Sequence, residues 1–326
     1  MSERRWVDVT ERAIYLRAIP VTAQLPASVV HAVANHLTDR ELSPGERLMT
    51  QGRSVKSMHL LTEGRVGLFK DGVRIGEMAP PQSVGFLNII ARSDAPYDAI
   101  AETKLETLEL TAERLMGLLE DQEQLLSATI HYAAERLLSE MQELPAKMLG
   151  IPPEVIPIEV PDRALDLVER VFFLRCMSAF KRTNLSALSA LADQMVERRA
   201  AAGSELFAAG EIPKITYFVI RGTVECETPD GRSFGFGPGT AVGGVEAIAG
   251  KPRWYTARAS SDVVMLEGRA SHLLDMIEDN FEMGMDFVGA LVGGLQGILA
   301  AKAAMGVAAF AVKRDVSNLG AVPVGA

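Results

Sequence analysis

The residues of this chain best suited to holding a ligand lie between Gly243 and Thr256. Two adjacent glycines, Gly243 and Gly244, precede Val245-Glu246-Ala247-Ile248-Ala249, a run that fits a short helix; Pro252-Arg253 then leads into Trp254, Tyr255 and Thr256. A helix start presents backbone N–H groups without intrahelical partners and a partial positive charge, and an arginine adds a planar fork of donors. Together they suit an anion such as a phosphate. A second reading stays open, because an arginine beside two aromatic residues can stack on a ring or sit in an interdomain contact. Thr256 offers a hydroxyl, although threonine on a strand is ordinary.

Other chemistries find little support. The five histidines are scattered, and His31 and His36, five apart, do not share a helical face, so no metal site is expected. Cys176 and Cys226 fall at unrelated places, which implies neither a disulfide framework nor a thiolate metal site. No phosphate-binding loop, nucleophile elbow or paired-carboxylate pattern stands out, so the chain reads as non-enzymatic and free of cofactors. A net charge of −9 and a pI near 5.2 argue against a large nucleic-acid surface. With 48% apolar and 23% charged residues the chain is globular in composition. Met1 to Asp8 lacks the apolar core of a signal peptide, so a cytoplasmic location is expected.

The elements that must position these residues occur twice. Leu16-Arg17 recurs as Leu174-Arg175, Gly45, Gly52 and Gly64 as Gly203, Gly210 and Gly222, and Val84-Gly85 as Val242-Gly243, always 158 residues on. A period this long exceeds the roughly 20–50 residues of solenoid units and marks a duplicated domain. In each half an apolar stripe at helical spacing comes first: Val30, Val33 and Leu37, then Leu188, Leu191 and Met195. Pro26 suits the first turn of the earlier helix, and Thr183 or Asn184 can cap the later one. Short apolar runs broken by turn residues follow at intervals of roughly 7 to 12, the signature of an antiparallel sandwich or barrel. Asp71-Gly72 and Asp230-Gly231 are hairpin dipeptides. A helix closes each half, one through Leu115–Leu126 to about Glu143, the other opening at Leu273. Between them Pro145, Pro152, Pro153, Pro157 and Pro161 mark a linker, with a connecting helix expected from Asp162 to about Cys176.

The glycine spacing, the strand meander and the helical flanks together resemble the cyclic nucleotide-binding domain family, in two tandem copies over about residues 14–143 and 172–300. The resemblance implies an α+β fold of two antiparallel, jelly-roll-like β-rolls, each with N- and C-terminal helices. Residues 1–13 are then an N-terminal extension, 144–171 the linker and connecting helix, and 301–326 a helix end and disordered tail. In that family a short helix after a glycine, followed by a Pro-Arg strand, forms a phosphate-binding cassette. Carried onto this chain it implies a ligand set of Gly243, Gly244, Val245, Glu246, Arg253 and Thr256, with cyclic AMP or cyclic GMP as the ligand. The glutamate that the family places directly after the glycine is missing, for Gly244 stands there and Glu246 lies two residues on. The first copy has lost more. Phe86 follows Gly85, and Ala95, or Tyr97 with a two-residue slide, occupies the arginine position, so a non-binding domain is expected there.

Phe287 to Val312 carries only Gln296 and Lys302 as polar side chains, long enough to span a bilayer with roughly 20 apolar residues, but its alanine and glycine content favours a packing helix. Gly289, Gly293, Gly297 and Ala301 form a small-residue stripe, which predicts close approach of another helix, within the chain or across a homo-oligomer. Only Lys313 to Ala326 follow the last apolar run, too little for the helix-turn-helix of cyclic-nucleotide-controlled transcription factors, so no nucleic-acid partner is expected. The reading is a cytoplasmic regulatory or adaptor protein whose second domain senses a cyclic nucleotide and relays it to a protein partner. Its competitor is a structural protein that keeps the fold and binds no nucleotide.

Overall fold

A computed structural model describes residues 8–145, 149 and 160–304. The first copy opens with helices α1 (Val9–Leu16) and α2 (Ala27–His36). Strands β1 (Thr38–Leu42), β2 (Arg47–Met49), β3 (Ser57–Glu63), β4 (Val66–Lys70), β5 (Val73–Met78) and β6 (Ser83–Val84) follow, then the short helix α3 (Phe86–Ala91). Strands β7 (Asp98–Ala101) and β8 (Leu105–Thr111) complete the roll, and α4 (Ala112–Asp121) and α5 (Glu123–Gln142) close it. The second copy repeats the order. It has α6 (Leu167–Cys176), a 3-10 turn at Ser178–Phe180, α7 (Leu185–Gln194), β9 (Val196–Ala200), β10 (Glu205–Phe207), β11 (Ile215–Arg221), β12 (Val224–Glu227) and β13 (Ser233–Phe236). Then come β14 (Ala241–Val242), α8 (Gly244–Ile248), β15 (Thr256–Ala259), β16 (Val263–Arg269), α9 (Ala270–Asp279) and α10 (Phe281–Ala304).

Each roll is two four-stranded antiparallel sheets face to face: β1-β8-β3-β6 with β2-β7-β4-β5, and β9-β16-β11-β14 with β10-β15-β12-β13. The fold is therefore the expected α+β pair of β-rolls flanked by helices. Asp71 and Gly72, both at positive φ, turn β4 into β5 as the dipeptide predicts. Gly64 and Gly222 show why the repeat preserves its glycines. Both have positive φ, and a Cβ would fall 2.4 Å from the Lys104 carbonyl oxygen in one and 2.3 Å from that of Asp262 in the other.

Several boundaries differ from the sequence reading. The helix before the second roll starts at Leu167, capped by Asp166 rather than Asp162, because only Asp166 has a glutamate three residues on to complete a capping box with Glu169. It is no connector: 158 residues before it lies α1, so α6 is the opening helix of copy two, and residues 9–13 likewise belong to the first fold. The closing helices each break once, at Gln122 and at its counterpart Asn280. Helix α10 runs to Ala304, within the helix end expected after residue 300, and the tail expected to be disordered lies outside the described residues.

The copies interlock through these helices. Helix α10 packs along α5 and also on α3, while α8 packs on α5, so each copy's short helix is held by the closing helix of the other. Lys302, buried at the end of α10, donates to Glu140 and, at 3.3 Å, to Glu143 of the first copy. Ser127 Oγ donates to Glu278 at 2.7 Å, and Arg232 donates to the carbonyls of Gln142 and Leu144 at 2.8 and 2.9 Å. Phe281–Lys302 is apolar and long enough to cross a membrane, with mean hydropathy 1.4, and 56% of that window is buried in the protein. The glycine stripe does not mediate close helix packing. A Cβ on Gly293 or Gly297 would meet nothing within 4 Å, whereas one on Gly284 would meet Leu126 at 2.8 Å. The tight approach is one turn earlier, and the helix expected to pair with α10 is α5 of the same chain.

Candidate functional site

The site is assembled from the β14–α8 turn and the start of β15. Gly243 caps α8 in the left-handed conformation, φ 74°, so that the chain leaves β14 and enters the helix within one residue. Gly244, Val245 and Glu246 form the first turn of α8, with Gly244 and Glu246 buried and Val245 half-buried. Arg253 lies next to them and is buried, 4% exposed. The structure thus brings five of the six expected residues together.

The Arg253 guanidinium and the Gly243 N–H are bonded to the protein itself. Arg253 Nη1 donates to the Gly243 carbonyl and Nη2 to the Ile215 carbonyl, and the guanidinium lies 4.1 Å over the ring of Phe207. The Gly243 N–H, which a phosphate would use, donates instead to the Tyr255 hydroxyl at 3.1 Å. The fit around Gly243 is close: a Cβ there would fall 1.9 Å from Arg253 Nη1. Behind the arginine, Phe234 stacks on Trp254 at 5.4 Å and meets Tyr255 edge-on at 5.1 Å, with Phe207 and Phe236 completing an aromatic fill of the roll.

Burial sets the ionisation. Glu246, 2% exposed, stands 4.0 Å from Arg253. Desolvation pushes its carboxyl above the usual carboxylate range against the pull of its own backbone amide, Arg253, Trp254 and Tyr255. Burial likewise pushes the Tyr255 phenol well up and raises the Cys226 thiol. All three shifts favour the neutral form.

Thr256 does something else. Its hydroxyl accepts the N–H of Ala209 at 3.1 Å, and Asp98, its counterpart in the first copy, accepts the N–H of Gln51 at 2.8 Å. The position ties a turn to the roll in both copies. In the first copy Ala95 at the arginine position is buried, Phe86 begins α3 and packs on the core, and Tyr97 packs on the roll interior, so none of the three candidate positions supplies a cation. Sequence reasoning missed Phe207 and Ile215, and took Tyr255 only as a ring for Arg253 to stack on. Tyr255 carried a signal in the adjacent pair Trp254-Tyr255; Phe207 and the Ile215 carbonyl carried none.

The cyclic nucleotide-binding domain model matches residues 39–122 and 197–280, just over half of the chain. The chain belongs to the cyclic nucleotide-binding domain family. It carries two tandem copies of the domain. No match was found among curated proteins. Among solved structures, the regulatory subunit of a cAMP-independent protein kinase A from Trypanosoma brucei is similar with TM-score 0.35 and 16% identity, covering 85% of this chain and 89% of that one. The regulatory domain of Toxoplasma gondii protein kinase A crystallised with cAMP gives 0.35 and 13%, covering 88% and 97%. The N-terminal domain of a Streptomyces coelicolor transcriptional regulator gives 0.34 and 25%, covering 38% and 92%.

Proposed function

We propose that this protein is a non-catalytic regulatory module in which two cyclic nucleotide-binding folds form one protein-binding platform, with the nucleotide pockets closed by the chain's own side chains. The observation that carries this reading is the placement of Arg253. A guanidinium reserved for a ligand leaves its donors facing the pocket; here both nitrogens are bonded to backbone carbonyls and the face lies on Phe207. The first copy supports the same reading through Ala95 and Phe86. The non-catalytic part rests on Glu246, Tyr255 and Cys226, which burial pushes toward their neutral forms inside protein contacts, a poor setting for a nucleophile. Because α5 grips α8 and α10 grips α3, a partner that moves either closing helix changes both copies together.

A second reading has its own support in Pro252-Arg253 and the left-handed Gly243. A cyclic nucleotide that drew Arg253 away from Gly243 and Ile215 would free the start of α8 and so loosen its grip on α5, a shift that requires higher affinity for the opened state. Calorimetric titration with cyclic AMP and cyclic GMP separates the two. The platform reading expects no heat of binding with either at millimolar concentration; saturable heat in the wild type that Arg253→Ala abolishes would establish the sensor.

A further inference from the structure

A cavity of about 490 Å³ lies on the helical side of the second roll. Phe236 and Tyr255 of the aromatic interior reach its wall. Thr216 and Phe218 of β11 line it, whereas Tyr217 between them points the other way and stacks on Phe207 at 6.1 Å. Leu137 and Met141 of α5, Leu291 and Ile298 of α10, the 3-10 turn at Ser178 and the start of α8 form further walls. Its size falls in the range of about 300–1,000 Å³ typical of small-molecule sites.

Two observations point to an occupant. The first is how the space is kept. Gly294, Gly297 and Ala301 line it from α10, although a Cβ on Gly297 would meet nothing within 4 Å and one on Gly294 only Leu137 at 3.6 Å. Both glycines are exposed at the edge of the cavity, where larger residues would improve helix propensity and narrow its opening. The second is Thr216, 1% exposed, whose hydroxyl has no hydrogen-bond partner among the described residues. A buried orphan hydroxyl in a mostly apolar wall calls for a partner. The charged side chain on that wall is Glu246, which burial holds toward its neutral form, and Arg253 is committed to Gly243 and Ile215.

We propose that this cavity binds an uncharged amphiphile: an apolar chain or fused-ring body with a single hydroxyl, carbonyl or N–H group that pairs with Thr216. Such a ligand touches α8 and α10 of the second copy and α5 of the first, so its occupancy tightens the joint between the copies. The cavity shares Gly243, Gly244, Val245 and Glu246 with the candidate nucleotide site.

The test uses N-phenyl-1-naphthylamine, an uncharged fluorophore with one N–H, titrated into the full-length protein. The expected result is saturable one-to-one enhancement, displaced by 1-dodecanol at least tenfold more effectively than by dodecanoate. Gly294→Leu/Gly297→Leu, which narrows the opening of the cavity, is expected to weaken the probe at least tenfold with an unchanged or higher melting temperature. Thr216→Val, equal in shape, is expected to weaken it several-fold. Absence of saturable binding, equal displacement by dodecanoate, or wild-type affinity in Thr216→Val or in the folded double variant would each overturn the proposal.

Discussion

Replacing Arg253 by alanine separates an arginine that holds the fold together from one kept for a ligand. In the structure the substitution strands two buried carbonyls, those of Gly243 and Ile215, removes the cation 4.0 Å from Glu246, and uncovers the Phe207 ring. An unpaired buried polar group costs about 1–3 kcal/mol, and breaking a buried ion pair about 3–5 kcal/mol. The ion-pair part falls at the low end, because burial already favours protonated Glu246. Two carbonyls at that cost and an ion-pair part of about 3 kcal/mol give an expected loss of roughly 5–9 kcal/mol, comparable with the whole stability of many domains, which is about 5–15 kcal/mol. Urea unfolding followed by tryptophan fluorescence reads it directly. The chain has two tryptophans, and in a Trp6→Phe background the signal comes from Trp254, which stacks on Phe234 inside the roll. A loss under about 1 kcal/mol would refute the reasoning, since nothing buried would then depend on the guanidinium.

Four further outcomes follow from the structure. Gly243→Ala puts a Cβ on Arg253 and strains a positive φ, so it is expected to cost about as much as Arg253→Ala, with little added by combining the two. Gly250→Ala, also at positive φ but in open space, is expected to cost only about 1–2 kcal/mol in the same urea titration. Glu246 has a folded-state pKa above its unfolded one, so its contribution to stability is complete below about pH 4.3 and is lost as pH rises through the folded value. Glu246→Gln should therefore gain on the wild type in urea midpoint as pH rises, and parallel pH profiles would reject this. Asp286, 3% exposed, accepts from the Arg182 and Thr183 backbone N–H groups, from Arg182 Nε at 2.8 Å and from the Thr183 hydroxyl at 3.3 Å. Asp286→Ala is expected to cost about 3–5 kcal/mol by calorimetry, and a loss under about 1 kcal/mol would show that these donors find other partners.

What the sequence revealed, and what it hid, follows from where the information resides. Turn glycines such as Gly64 and Gly222 are legible because no other residue tolerates both the positive φ and the approaching carbonyl. The hairpin at Asp71-Gly72 is legible for the same local reason. The breaks at Gln122 and Asn280 were not, because no proline or glycine marks them and the apolar pattern runs through. The glycine stripe of α10 did not mark a helix contact, for Gly293 and Gly297 are exposed, and which side of α10 meets α5 depends on how the two helices cross. At the site, residue types pointed to Gly243 and Arg253. Their commitment to each other rests on the Gly243 and Ile215 carbonyls, and every residue has a carbonyl, so no side-chain pattern announces it. Thr256 was drawn into the ligand set by its place in a family motif, and only comparison with Asp98 reveals the turn it secures.

The central claim is that the Arg253 guanidinium is locked inside the second roll. Nuclear magnetic resonance of protein labelled with 15N-arginine, with the Arg253 signals assigned by their loss in Arg253→Lys, tests it most directly. Slowly exchanging, separately resolved Nη–H resonances that do not move when cyclic AMP or cyclic GMP is added are the predicted result. Averaged, rapidly exchanging resonances, or resonances that shift on addition of either nucleotide, would contradict it.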